Sequence, residues 1–337
     1  TKEVCCEVMG FELREDEDTA ERIRSYFKSK GGNMPKNNLK QAMLPVGGTV
    51  FENNHGTAPG AALEKNGKCV IILPGPPGEL VPMFNESVRG FLKKYSDGAI
   101  VSHTVNIIGM GESSVAEEIE DMFDAKNPTV APYAKSGEVR LRITAKAETA
   151  DEADKMCAPV VDEICSRLGD VVYGTDMNSI EERVVALLKE KGKKIATAES
   201  CTAGYIPKRL TDIPGASEVF ECGIVSYSND IKTKLLGVSP KTLETYGAVS
   251  EQTAREMALG AKHVSGADIA ISTTGLAGPG GDGILPGGLS FAAVTDGERT
   301  VVEKIVTGHE NDREYNRYVT ASRALNLARL MLEEKIK

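Results

Sequence analysis

Histidine is scarce in this chain, with 4 in 337 residues, and none falls in the loops that carry the chemical motifs below. Cysteine is present seven times but never as CxxC, and Cys5 and Cys6 are adjacent. Zinc sites need Cys and His at fixed spacings, so neither residue type is arranged as a zinc pattern. The expectation is reduced thiols in a cytoplasmic protein. No apolar run approaches the roughly 18 residues that span a bilayer, so no membrane partner is expected. The opening segment, TKEVCCEVMG, lacks the pattern of a signal peptide. It also lacks an initiator Met and has a helical pattern, which is expected of a fragment or a processed chain. Excess positive charge is missing too. A net charge of −9 speaks against nucleic acid as the main partner, because phosphate backbones are bound by clustered Lys and Arg. A local basic pocket for a small anion remains open.

What is present is an ordinary globular composition, 41% hydrophobic and 26% charged. The length predicts two or three domains, and three segments separate by pattern. In residues 1–95 a helix over 18–30 stops at Gly31-Gly32. An apolar run over 68–73 predicts a buried strand that enters Pro74-Gly75-Pro76-Pro77-Gly78, followed by a helix over 79–94. Residues 96–175 have the pattern strand, helix, strand, helix. The strand over 138–146 alternates with one wet face, so Arg140 and Arg142 are expected in solvent. Residues 176–337 alternate strands and helices throughout, predicting a layered α/β domain with a mainly parallel sheet. Ligands of such sheets bind outside the carboxyl ends of the strands. Two special loops, at Ser200 and at Gly275, leave from strand ends.

Glu199-Ser200-Cys201-Thr202-Ala203-Gly204 joins a strand to a helix. A serine at a helix N-terminus has free N–H groups nearby that can hold an oxyanion, which suits a nucleophile. It also suits a plain N-cap, and the local pattern alone favours the cap. Cys201 is a rival nucleophile without a neighbouring His to activate it. Val225-Ser226-Tyr227-Ser228-Asn229-Asp230-Ile231-Lys232 puts Tyr227 at a strand end and Lys232 one turn into a helix. A desolvated lysine can act as base where His is absent, although a solvated helix lysine is the commoner case. Thr273-Thr274-Gly275-Leu276-Ala277-Gly278-Pro279-Gly280-Gly281 is a glycine loop whose backbone can approach a phosphate, but it matches neither dinucleotide nor Walker patterns.

The ordered set ESCTAG, VSYSNDIK, GAVS (residues 247–250) and TGLAGPGG resembles the C-terminal domain of the CinA family and the free-standing PncC-type nicotinamide mononucleotide deamidases. The match covers residues 176–337. The family's ESCTGG has Ala203 in place of a glycine here, and its Lys-Pro pair is replaced by Ile284-Leu285-Pro286. Arg313 and Arg317 match arginines at the start of the family's last helix. The resemblance implies that Ser200 is the nucleophile and that Lys232, assisted by Tyr227, moves the proton. It further implies a substrate site formed by Glu199, Cys201, Thr202, Thr274, Gly275, Gly278, Gly280 and Arg313. The substrate would be nicotinamide mononucleotide, with no cofactor and with assembly as a homo-oligomer. Residues 35–42, 56–60 and 73–77 resemble the second half of the family's molybdopterin-binding-like domain, linked to ADP-ribose pyrophosphatase activity with a divalent metal. Its glycine loop and aspartates would lie before Thr1. Residues 96–175 match the family's small linking domain. The resulting expectation is an α/β, multi-domain chain: 1–95 a partial molybdopterin-binding-like domain, 96–175 an α+β linking domain and 176–337 a deamidase domain. Two alternatives stand beside the deamidase: the pyrophosphatase, and a non-catalytic partner in DNA uptake.

Overall fold

The computed structural model describes residues 1–95 and 97–336 and shows two compact units, Thr1–Asp97 and Gly98–Lys337. In the first unit, helices α1 (Lys2–Met9) and α2 (Glu17–Ser29) flank the short strand β1 (Leu13–Glu15), which pairs antiparallel with β2 (Met43–Pro45). Asp16 caps α2 by accepting from Thr19 N at 2.8 Å. A second antiparallel sheet has the order β3 (Thr49–Phe51), β4 (Gly60–Lys65), β5 (Lys68–Ile72). The apolar run at 68–72 is therefore an edge strand, half exposed, and not the fully buried strand its composition suggests. The expected long helix over 79–94 is broken into α3 (Pro77–Met83), a wide turn over Phe84–Val88 and α4 (Arg89–Leu92). Pro82 lies inside α3 and has no N–H to give the helix ladder.

The second unit carries two sheets. One is antiparallel in the order β7 (Thr129–Lys135), β8 (Glu138–Ala147), β6 (Ala99–Ile108), β9 (Val172–Thr175). Helices α5 (Glu112–Glu118) and α6 (Ala150–Leu168) accompany it, and Val105, Ile107, Leu141, Ile143, Cys157 and Ile164 form its core. Strand β7 escapes the sequence pattern because Pro132 interrupts it. Its position at the sheet edge tolerates a residue without N–H. Arg140 is not simply solvated: its Nε donates to Asn106 Oδ1 at 2.7 Å and its Nη2 to Asn178 O at 2.9 Å.

The other sheet has the order β11 (Phe220–Val225), β10 (Ile195–Glu199), β12 (Ile269–Gly275), β13 (Leu289–Thr295), β14 (Thr300–Val306). It is layered between α7 (Ile180–Lys191), α8 (Tyr205–Thr211) and α12 (Arg313–Leu332) on one face and α9 (Asn229–Leu236), α10 (Pro240–Tyr246) and α11 (Glu251–Ser265) on the other. The sheet is mixed rather than mainly parallel. β10 is parallel to both β11 and β12, whereas β13 and β14 are antiparallel. The connection over 276–288 contains no helix to carry the chain back across the sheet, so β13 must return beside β12. No helix among the described residues is long and apolar enough to cross a membrane.

Candidate active site

All five residues of β10 are buried, and the chain leaves its carboxyl end through the turn 200–204 into α8. Ser200 is not the cap of that helix: Gly204 occupies the cap position, with φ +87°, and Ala203 before it has φ +49°. The turn is pinned instead to β12. Ser200 N donates to Thr273 O at 2.9 Å, and the Thr202 and Thr273 hydroxyls lie 2.6 Å apart. The N-terminus of α8 is already filled. Glu199 Oε2 accepts from Ile206 N at 3.2 Å, and desolvation raises the pKa of this fully buried carboxyl. An oxyanion therefore has to be held by other donors. The N–H groups of Cys201 and Thr202 donate to no backbone oxygen among the described residues and face the Cys201 thiol instead.

Lys232 comes from the first turn of α9, capped by Ser228, which accepts from Ile231 N at 3.4 Å. Its side chain is 1% exposed. Its Nζ lies 3.1 Å from Ser200 Oγ and donates to the carbonyls of Ser226 at 2.8 Å and Tyr227 at 3.3 Å. No carboxylate pairs with it among the described residues. Desolvation lowers its pKa, and a first-turn position at the positive end of a helix dipole disfavours an ammonium as well. Ser200, 9% exposed, thus faces an amine held toward its neutral form.

Cys201 is the weaker rival. Burial pushes its thiol up to about 12, far from the thiolate that would attack. Tyr227 contributes through its main chain. Its ring is 61% exposed, and the phenol meets Arg313 Nη2 at 3.4 Å, whereas only its carbonyl reaches Lys232. Of the Tyr227 groups, the carbonyl is the one that meets Lys232, and the hydroxyl meets Arg313.

Beside the turn lies a cleft of about 190 Å³ lined by Cys201, Tyr227, residues 275–281 and Arg313. Arg313 Nη1 donates to Gly278 O at 2.7 Å, so the guanidinium closes the cleft against the glycine loop. Gly278 has φ +89°, and a side chain there would meet Glu310 O. Three residues expected to touch substrate do not reach the cleft. Glu199 and Thr202 are fully buried behind it, and Thr274 donates its hydroxyl to Ala248 O at 2.6 Å. Through that last bond the GAVS segment braces the end of β12, while its Ser250 caps α11. Larger cavities exist, of about 460 Å³ between β14, α12 and the four-stranded sheet and about 640 Å³ in the first unit, and neither is lined by residues of the 199–204 turn or the 275–281 loop. The divalent metal implied for the first unit finds no fitting residues, since no three His, Cys, Asp or Glu side chains converge among the described residues.

Fold and site together define a multi-domain α/β protein with a buried serine–lysine pair at the strand ends of its C-terminal sheet. The family described as the CinA C-terminal domain matches residues 177–332, and that described as the damage-inducible protein CinA KH domain matches residues 102–174. A protein of Clostridium beijerinckii named as competence-damage inducible is 52% identical over 314 residues, covering 92% of this chain and 77% of its own length. The CinA-like protein of Desulfovibrio desulfuricans is 46% identical over 332 residues, covering 98% of this chain and 78% of its own. Among solved structures, the competence/damage inducible protein CihA from Agrobacterium tumefaciens is 38% identical and covers 46% of this chain and 93% of its own, with a TM-score of 0.44. The chain belongs to the CinA family.

Proposed function

We propose that this protein hydrolyses nicotinamide mononucleotide to nicotinate mononucleotide and ammonia, with Ser200 as nucleophile and Lys232 as its base. The observation that carries this reading is the 3.1 Å approach of the buried, carboxylate-free Lys232 Nζ to Ser200 Oγ. A neutral amine has two N–H bonds and one lone pair. The two carbonyls of Ser226 and Tyr227 take the N–H bonds, which leaves the lone pair for the Ser200 proton.

In the first step Ser200 Oγ bonds to the carboxamide carbon, its proton passes to Lys232, and the carbonyl oxygen becomes an oxyanion. The N–H groups of Cys201 and Thr202, which donate to no backbone oxygen and face only the weakly accepting Cys201 sulfur, hold that charge. Collapse breaks the C–N bond, and Lys232 returns the proton to the departing nitrogen, which leaves as ammonia. A water then adds to the acyl ester, gives its proton to Lys232, and the ester oxygen takes it back as Ser200 is released. Arg313, at the cleft wall, suits the phosphate of the nucleotide.

The test is ammonia release from nicotinamide mononucleotide, with free nicotinamide as control. We expect turnover of the nucleotide only, and a loss of roughly 10⁴-fold or more in Ser200→Ala with the fold intact. A Ser200→Ala variant as active as the parent, or a parent that releases no ammonia, overturns the proposal.

A further inference from the structure

We infer that Arg317 is a positioning residue that holds the Ser200 turn in its reactive shape from behind. The inference rests on the reading of Ser200 as nucleophile. Arg313 and Arg317 sit one turn apart on α12 and so share a face of that helix, yet their roles differ. Arg313 is exposed and lines the cleft. Arg317 is half-buried, and its Nη2 donates to Thr202 O at 2.7 Å. Tyr205 N donates to the same oxygen at 3.2 Å. With both lone pairs engaged, the peptide plane after Thr202 is fixed. The guanidinium also lies 5.6 Å from the Tyr205 ring, which restrains it through a cation–π contact.

Two further observations separate this arginine from a structural ion pair. No carboxylate among the described residues pairs with it, and its buried Nε has no hydrogen-bond partner. A half-buried cation without a counter-charge costs stability. Here the cation stands against a turn whose Cys201 and Thr202 N–H groups, turned toward the Cys201 sulfur and bound to no backbone oxygen, are the donors that the proposed reaction needs for a developing negative charge. The next residue, Ala203, takes φ +49°, a left-handed conformation that a residue with a Cβ keeps only where its surroundings over-determine it. The Arg317 clamp on the preceding carbonyl supplies that restraint. The arginine thus acts through the turn, and its charge favours the oxyanion over the neutral ground state.

The test uses the full chain with Arg317→Gln and Arg317→Lys, each checked by thermal unfolding. Two readouts run in parallel: steady-state ammonia release from nicotinamide mononucleotide, and the rate at which a fluorophosphonate labels Ser200, followed by intact-protein mass. We expect Arg317→Gln to lower kcat by about 30- to 100-fold with KM within about threefold, and to slow Ser200 labelling in proportion. Arg317→Lys, which keeps the charge and one donor to the carbonyl, should recover part of both. Should the Gln variant fail to fold, Arg317→Lys carries the test with a kcat loss of about three- to thirtyfold at unchanged KM. Unchanged kcat, or a raised KM at constant kcat, overturns the inference and leaves the deamidase reading standing. A parent that labels at Ser200 but releases no ammonia removes the substrate reading. A slower label in Arg317→Gln then still supports the positioning role, and an equal label refutes it.

Discussion

Lys232 sits where water cannot solvate an ammonium, and that has a measurable consequence at the level of one residue. In the unfolded chain a lysine titrates near ~10.4, so at neutral pH it is protonated. The fold lowers this pKa by desolvation. Between the folded and unfolded values the unfolded chain binds the extra proton, so stability rises with pH across that window and the cost of keeping the amine neutral vanishes near the unfolded value. Replacing the amine by an apolar side chain of similar length removes the cost. We therefore expect Lys232→Met to lower kcat by roughly 10³-fold or more while leaving the melting temperature at pH 7 equal to or above the parent's. Its advantage should shrink as pH approaches ~10.4. Thermal unfolding at pH 7 and at about pH 10 checks this directly. A variant that melts well below the parent at pH 7 would show that Lys232 is held as a stabilising cation, and the base would have to lie elsewhere. The pH–rate profile of the parent should likewise rise with pH through an apparent pKa below the ordinary lysine value.

Among the elements, the strand–turn–helix unit β10–α8 and the glycine loop after β12 show how much of the site is legible in the sequence. Strand ends, capping serines and glycine stops are local signals. The Ser179, Ser228 and Ser250 caps, and helices α6, α9 and α12, follow from residues close in the sequence. The approach of Lys232 to Ser200 depends on β10 and β11 lying side by side, which no local pattern states. Thr274 escapes a local reading for the same reason: its hydroxyl faces Ala248, 26 residues away in the chain, rather than a ligand. Gly275 shows the difference most sharply. A glycine there suggests close approach to a phosphate, but the neighbour that demands it is β13. A Cβ on Gly275 would lie 2.7 Å from Leu289 O and would meet the Ser290 side chain. Gly275→Ala should therefore destabilise the fold by about 2 kcal/mol or more, because backbone cannot yield as a flexible side chain can. Denaturant unfolding is the measurement. A variant of parental stability with a raised KM would instead return Gly275 to the substrate site.

At the scale of the whole molecule, every residue of the candidate site lies in the second unit, Gly98–Lys337. Within that unit the two sheets are not independent. Arg329 of α12 is 0% exposed, and its guanidinium donates to Val172 O at 3.3 Å and to Asp170 O at 2.7 Å, both at the end of the linking sheet. Glu138 of β8 accepts from the hydroxyls of Tyr173 at 2.9 Å and Tyr318 at 3.3 Å, which joins α12 to the same sheet. Ile108 and Tyr173 from that sheet also belong to the core formed by α7, β10, β12 and α12. A cut at residue 98 crosses between compact units, whereas a cut at residue 176 strips a buried arginine of two acceptors and opens the core. Residues 98–337 alone should then fold and release ammonia from nicotinamide mononucleotide at a kcat within about twofold of the full chain, since nothing in the catalytic arrangement is removed. Residues 176–337 alone should lose roughly 3 kcal/mol or more from the lost apolar contacts and from the two carbonyl acceptors taken from Arg329, which keeps Glu333 and Asn326, seen as a melting temperature lower by about 6–12 °C. Calorimetry of the two fragments beside the full chain decides the matter. Equal melting of the 176–337 and 98–337 fragments would mean that the linking sheet adds nothing to the stability of the site. Loss of activity in 98–337 would mean that catalysis needs the first unit.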